Sequence, residues 1–174
     1  IGMLDSPYVR RVAIALQLLE LPFEHRSLSV FRTFDQFRAI NPVVKAPTLV
    51  CDDGTVLMDS TLILDYVQAV AAPRSLMPSE LSERQAALRT IGLALAACEK
   101  SVQLVYERNL RPPEKQHEPW AARVIGQMHA AYGELEAELA KGPARRDPRR
   151  IGLADITTAV TWQLTEKMLP GTVK

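Results

Sequence analysis

Apolar positions change their spacing along the first part of the chain and then settle into one pattern. Ile1-Gly2-Met3-Leu4 is a short continuous apolar run, which predicts a buried strand. Val9, Val12, Ala13, Leu16 and Leu19 then recur at helical spacing, so one apolar stripe runs along a helix. Ser6-Pro7 opens that helix, since serine is a good N-cap and proline suits the first helical position; Leu21-Pro22 ends it. From Phe23 to Val30 charged and apolar residues interleave as in a second strand, and Phe34 to Ile40 reads as a short helix stopped by Asn41-Pro42. Thr48 to Cys51 and Val56 to Met58 read as two strands, because Asp53-Gly54 between apolar runs is a strong hairpin signal. A helix follows from Ser60 to about Ala71, with Leu62, Ile63, Tyr66, Val67 and Val70 apolar. The order β-α-β-α-β-β-α predicts a small mixed sheet with helices on its faces.

Ala72-Pro73 to Pro78 reads as a linker, and beyond it the strand signals stop. Glu80 to about Arg108 is one long helical pattern, broken at Arg111-Pro112-Pro113. A second helix runs from about Lys115 to Ala140, a basic loop from Lys141 to Arg150, and a third helix from Leu153 to about Lys167. The chain therefore divides into an α/β domain over 1–72 and an all-helical domain over 80–174.

Composition narrows the chemistry. At 174 residues the chain can bury a real core, and 47% hydrophobic residues is ordinary for a globular protein. Lys+Arg of 21 against Asp+Glu of 20 gives net charge +1, which offers no electrostatic capture of nucleic acid. The basic run Arg145 to Arg150 lacks the aromatic or helical support of a nucleic-acid patch and reads as a solvated loop. Two cysteines, Cys51 and Cys98, make neither a disulfide framework nor a metal-ligand pattern, and with no membrane-length apolar run and no signal-peptide pattern the expected setting is cytoplasmic. With Ile1 rather than Met at the start, at least one preceding residue is expected. His25, His117 and His129 are scattered without ligand spacing, so no metal is expected. There is no Gly-rich phosphate loop, His-Glu-x-x-His pair or Gly-x-Ser-x-Gly elbow.

The candidate chemistry lies between Asn41 and Ser60. Pro47 stands just before the apolar run Thr48-Leu49-Val50, where proline fits only as a strand's first residue, at an edge or at a bulge, and where a cis peptide can be kept. A cis Ala46-Pro47 bond would turn the Ala46 backbone outward to pair with an extended peptide. Asp59-Ser60 opens a helix, whose free N–H groups attract a carboxylate. A backbone clamp beside an anion seat points to a small peptide as ligand.

Ser6-Pro7-Tyr8-Val9-Arg10-Arg11-Val12, the run Asn41-Pro42 to Lys45-Ala46-Pro47-Thr48-Leu49, Asp59-Ser60 and Leu153-Ala154-Asp155-Ile156 together resemble the cytosolic glutathione S-transferase family. The resemblance covers Ile1 to about Lys167 and looks closest to serine-type members such as the plant tau class. It implies a thioredoxin-like domain followed by a helical domain, and glutathione as co-substrate. By the same resemblance Ser6 holds the glutathione thiolate and Ala46, before the family's cis-proline at Pro47, pairs with the cysteinyl backbone. Asp59 accepts the γ-glutamyl ammonium, Ser60 binds the γ-glutamyl carboxylate and Lys45 reaches the glycyl carboxylate. Leu4, Tyr106, Leu110 and Trp162 are candidates for the pocket of a hydrophobic acceptor, expected between the domains.

The sequence departs from the family pattern where Gly152 replaces the Ser/Thr of the capping box closed by Asp155, in the basic loop from Lys141 to Ile151, and after Pro170-Gly171, where the family normally continues with further helix. The resemblance implies an enzyme of detoxification that works as a homodimer in the cytoplasm and adds glutathione to electrophiles. A non-catalytic glutathione transferase-like module that binds partners, or an isomerase, peroxidase or thioether-cleaving enzyme using the same thiolate, are the alternatives.

Overall fold

The computed structural model describes residues 1–142 and 151–173. It divides into two compact units, Ile1–Leu76 and Met77–Lys174. The expected solvated loop over Arg145 to Arg150 lies outside the described residues.

The first unit contains α1 (Pro7–Leu18), α2 (Phe34–Ile40), β1 (Thr48–Val50), β2 (Val56–Met58) and α3 (Ser60–Val70). β1 and β2 pair antiparallel, Leu49 opposite Leu57, through a turn in which Gly54 takes φ +85° and Asp53 Oδ1 accepts from the Thr55 N–H at 2.9 Å. The apolar stripe of α1 meets α3: Val9, Val12, Ala15 and Leu16 are buried, as are Ile63, Leu64 and Val67.

The expected strands over Ile1–Leu4 and Phe23–Val30 do not form as strands. The Gly2 N–H donates to Arg26 O at 3.0 Å on one side. On the other, Ile1 and Thr48 exchange both backbone hydrogen bonds, at 2.7 and 3.1 Å. The chain thus follows a sheet path between those neighbours, but one rung on each side is too few for a ladder. Gly2 is tightly enclosed: it has φ +140°, and a Cβ there would stand 2.5 Å from Val9 Cγ2 and 3.2 Å from the Ala46 Cβ.

The second unit contains α4 (Leu81–Asn109), a 3-10 turn (Pro113–Lys115), α5 (Glu118–Leu139) and α6 (Leu153–Met168). α5 begins later than the expected Lys115. The Glu107 carboxylate, almost fully buried, accepts the His117 N–H at 2.8 Å and pairs with Arg111 at 2.9 Å, which fixes the entry to α5 at Glu118 with Pro119 in its first turn. α4 packs against both α5 and α6 over a core of Ala94, Ala97, Leu104, Val124, Met128 and Leu135. Inside it Thr165 Oγ1 lies 2.7 Å from Ser101 Oγ and 2.6 Å from Tyr132 Oη, so three helices share one buried hydroxyl hub. Gly152 is the N-cap of α6 and its N–H donates to Asp155 Oδ2 at 2.9 Å, half of a capping box, since glycine has no side chain to complete it. Among the described residues no helix is long and apolar enough to cross a membrane.

Candidate functional site

Ser6 is the N-cap of α1, and its Oγ accepts the Val9 N–H at a long 3.4 Å. That contact uses a lone pair. The hydroxyl proton has no acceptor among the described residues, so capping and donation to a ligand atom are compatible. The half-buried Ser6 sits where the free N–H groups and positive end of a three-turn helix converge.

Residues 41–48 form a locked turn. The Asn41 Nδ2 donates to Thr48 Oγ1 at 2.9 Å, Thr48 Oγ1 donates to Lys45 O at 2.7 Å, and Asn41 Oδ1 accepts the Val43 N–H at 3.0 Å. Asn41 and Thr48 are each 1% exposed. The Ala46–Pro47 peptide is cis, as is Ala72–Pro73. Neither the N–H nor the C=O of Ala46 has a hydrogen-bond partner among the described residues. Ala46 packs on Gly2, which also touches Val9, so the Pro47 turn lies against the first turn of α1.

Asp59 is the N-cap of α3 and holds φ +75°, a conformation that a non-glycine residue keeps only when its surroundings impose it. Its Oδ1 accepts the Thr61 N–H at 2.9 Å and its Oδ2 the Lys45 Nζ at 3.1 Å. Partial burial pushes this carboxyl up. The Thr61 N–H, the Lys45 ammonium and the Leu62 N–H outweigh that and hold it below the ordinary aspartate value. Ser60 is buried at the first position of α3.

One residue of the site was not foreseen. Arg11, 1% exposed, donates from Nη1 to Ser60 Oγ at 3.1 Å and to Thr61 Oγ1 at 3.3 Å, tying α1 to the start of α3. The signal was present: Pro7, Arg11 and Ala15 share one helix face, and both flanking residues are buried. Because Ser60 Oγ accepts from a guanidinium, its own proton is directed elsewhere. With the α3 amides, the start of α3 is a place for an anion.

Lys45, Ala46, Pro47, Asp59, Ser60 and the Ser6 helix are thus linked through direct contacts in one unit. Leu4, exposed, belongs to the same unit. Tyr106 and Leu110 lie four residues apart at the end of α4, both exposed, while the Trp162 ring on α6 meets Tyr132 edge-on at 5.8 Å.

A family model described as Glutathione S-transferase, N-terminal domain, matches residues 1–75. The chain is 24% identical over 171 residues to the uncharacterized GST-like protein YibF of Escherichia coli (strain K12), spanning 98% of this chain and 84% of that protein. A glutathione transferase family member from Pseudomonas fluorescens Pf-5, solved with bound S-(propanoic acid)-glutathione, aligns with a TM-score of 0.77 at 30% identity, over 99% of this chain and 85% of that one. A glutathione S-transferase of Methylobacterium radiotolerans JCM 2831, solved in complex with glutathione sulfonate, aligns with a TM-score of 0.85 at 26% identity, over 98% and 79% of the two chains. These likenesses give the chain a thioredoxin-like first domain followed by an all-helical second one.

Proposed function

The chain belongs to the cytosolic glutathione S-transferase family, and on that premise we propose that it is a serine-type glutathione transferase acting on hydrophobic electrophiles. One observation carries the reading. A spare hydroxyl proton at Ser6, an unpaired Ala46 backbone and the Asp59-Ser60 start of α3 are linked in one unit, in an arrangement that suits a γ-linked tripeptide.

In this reading the Ala46 N–H and C=O pair with the cysteinyl backbone of glutathione, beside Pro47. Asp59 accepts the γ-glutamyl ammonium, and Ser60, polarised by Arg11, donates to the γ-glutamyl carboxylate. Lys45 meets the glycyl carboxylate. The Ser6 O–H donates to sulfur, and with the α1 dipole it lowers the thiol pKa from about 8.5 towards neutrality. The thiol proton leaves to water. The sulfur lone pair then forms the carbon–sulfur bond, and the leaving group departs with the bonding electrons. Leu4 in the first unit, and Tyr106, Leu110 and Trp162 in the second, each offer exposed apolar surface to an acceptor.

The same reading makes the protein a cytoplasmic detoxification enzyme and a homodimer. Leu62 (65% exposed), Tyr66 and Val70 form an exposed apolar row on α3, and Leu81 and Leu88 another on α4, faces suited to a second copy. Light scattering across a wide concentration range should give a dimer mass, and a monomer throughout would refute the pairing.

Isothermal titration with glutathione, followed by a panel of aryl halides, enones and peroxides, tests the function. Glutathione binding with conjugation is expected. Binding without turnover would assign a non-catalytic module, and peroxide turnover alone a peroxidase. No binding would overturn the reading.

A further inference from the structure

We infer that Asn41 is a positioning residue: acting through Thr48, it holds Val44 in a left-handed conformation and so fixes the direction in which the unpaired Ala46 N–H meets a ligand. This rests on the glutathione reading proposed above.

The turn between α2 and β1 is built around one side chain. Asn41 is 1% exposed, and its backbone N–H donates to Phe37 O at 2.9 Å, so the end of α2 fixes where it stands. An amide side chain offers an acceptor oxygen and two N–H donors. Asn41 Oδ1 accepts the Val43 N–H at 3.0 Å, while Nδ2 donates to Thr48 Oγ1 at 2.9 Å and meets Met58 Sδ at 3.8 Å. Thr48 and Met58 stand opposite each other in the β1–β2 pair, so the same amide is anchored on both strands. Thr48 Oγ1, oriented by accepting from Asn41, donates its own proton to Lys45 O at 2.7 Å. That carbonyl belongs to the peptide group whose other end is the Ala46 N–H. The group is planar and trans, so its C=O and N–H point opposite ways, and a carbonyl held inward on Thr48 directs the Ala46 N–H outward.

This geometry has to be imposed. Val44 has φ +52°, a left-handed conformation in which a β-branched residue is an outlier. It is tied on both sides. Before it, Asn41 O accepts the Val44 N–H at 2.9 Å and Asn41 Oδ1 accepts the Val43 N–H; after it, Thr48 Oγ1 holds the Lys45 carbonyl. A residue in such a conformation keeps it only while its surroundings demand it. With the Asn41–Thr48 link cut, Val44 relaxes towards negative φ and the Lys45–Ala46 peptide plane turns with it. A smaller fraction of the protein then presents Ala46 in the binding direction, and the apparent affinity falls in proportion to that fraction.

Glutathione is the probe, titrated calorimetrically into wild type and variants that each show a cooperative melting transition. Thr48→Val replaces the linking hydroxyl by a methyl and should weaken glutathione about three- to tenfold, the equivalent of one ordinary hydrogen bond. Thr48→Ser keeps the hydroxyl and should bind as wild type does. Adding Val44→Gly to Thr48→Val should restore part of the lost affinity, because glycine holds a positive φ without support. A network that only stabilises the fold would give no such recovery. Asn41→Ala should weaken glutathione at least as much as Thr48→Val, and Thr48→Val should cost less in that background than in wild type. If Asn41→Ala fails to fold, Thr48→Val with and without Val44→Gly decides alone. Three results would overturn the inference: Thr48→Val binding within about twofold of wild type, no recovery with Val44→Gly, or equal costs in the two backgrounds. Provided that wild type binds glutathione and Asp59→Asn weakens it, any of these leaves the glutathione reading standing. Wild type failing to bind, or Asp59→Asn binding as wild type does, would overturn that reading and the inference with it.

Discussion

Replacing Arg11 with methionine should lower both stability and glutathione affinity, and the structure sets the size of each effect. Arg11 is 1% exposed and donates to Ser60 Oγ and Thr61 Oγ1 at 3.1 and 3.3 Å. Hydrogen bonds from a charged group contribute about 1.5–3 kcal/mol. Against this, methionine fills much of the arginine stem and removes the desolvation penalty of a buried cation, which can reach several kcal/mol. What remains is the unfilled acceptor on buried Ser60, costing about 1–3 kcal/mol, so a net loss of about 1–2 kcal/mol is expected. For a chain of this size that lowers the melting temperature by roughly 2–8 °C. Loss of the polarising donor should weaken glutathione by roughly two- to tenfold, the equivalent of one ordinary hydrogen bond. Differential scanning calorimetry and glutathione titration on wild type, Arg11→Met and Arg11→Lys measure both. Arg11→Lys keeps the charge without the planar fork and should fall between them. A methionine variant that melts and binds like wild type would refute the claim that Arg11 organises the start of α3.

Thr165→Val keeps shape but removes one hydrogen bond each from Ser101 and Tyr132, which retain Ala97 O at 2.9 Å and Thr161 O at 3.4 Å, and two such bonds should be worth about 1–3 kcal/mol of stability; a urea midpoint equal to wild type would refute the hub. Gly2→Ala should destabilise by about 1–3 kcal/mol, because its Cβ overlaps Val9 and φ is +140°. Gly126→Ala in the interior of α5, where a Cβ meets nothing within 4 Å, should stabilise by about 0.5–1 kcal/mol, and equal melting temperatures for these two variants would contradict the packing described. Asp59 is held below its ordinary value, so its contribution to stability is present above the unfolded pKa, about 4, and is lost as pH falls through the folded value. In carbon-13 NMR its carboxyl should titrate below the ordinary range and move up in Lys45→Gln; an unmoved titration would remove Lys45 from that balance.

Much of the fold was legible because its signals are local. Ser6-Pro7 opening α1, Asp53-Gly54 turning the hairpin and Asp59 capping α3 each act within a few residues. The two expected strands that did not form depend instead on pairing between segments far apart in the chain, and neither an apolar run nor an interleaved one can say how many rungs will be made. The start of α5 was displaced by Glu107, ten residues upstream of the His117 N–H it accepts. Within the site, residue types at Ser6, Lys45, Ala46, Pro47, Asp59 and Ser60 could be named from motif order. Their engagements could not: Lys45 on Asp59 and Arg11 under Ser60 span 14 and 49 residues, and no spacing rule reaches that far.

The most direct test of the account is the pH–rate profile of wild type and Ser6→Ala with one aryl halide acceptor, alongside glutathione titration. Ser6 contributes a hydrogen bond to sulfur that is stronger to the thiolate than to the thiol. Its loss should raise the pKa of the bound thiol, each unit corresponding to about 1.36 kcal/mol. The variant should therefore conjugate more slowly at neutral pH, recover part of the rate at higher pH and bind glutathione with nearly unchanged affinity. Superimposable profiles would contradict the account, assigning the thiolate to the α1 amides and Ser6 to capping alone.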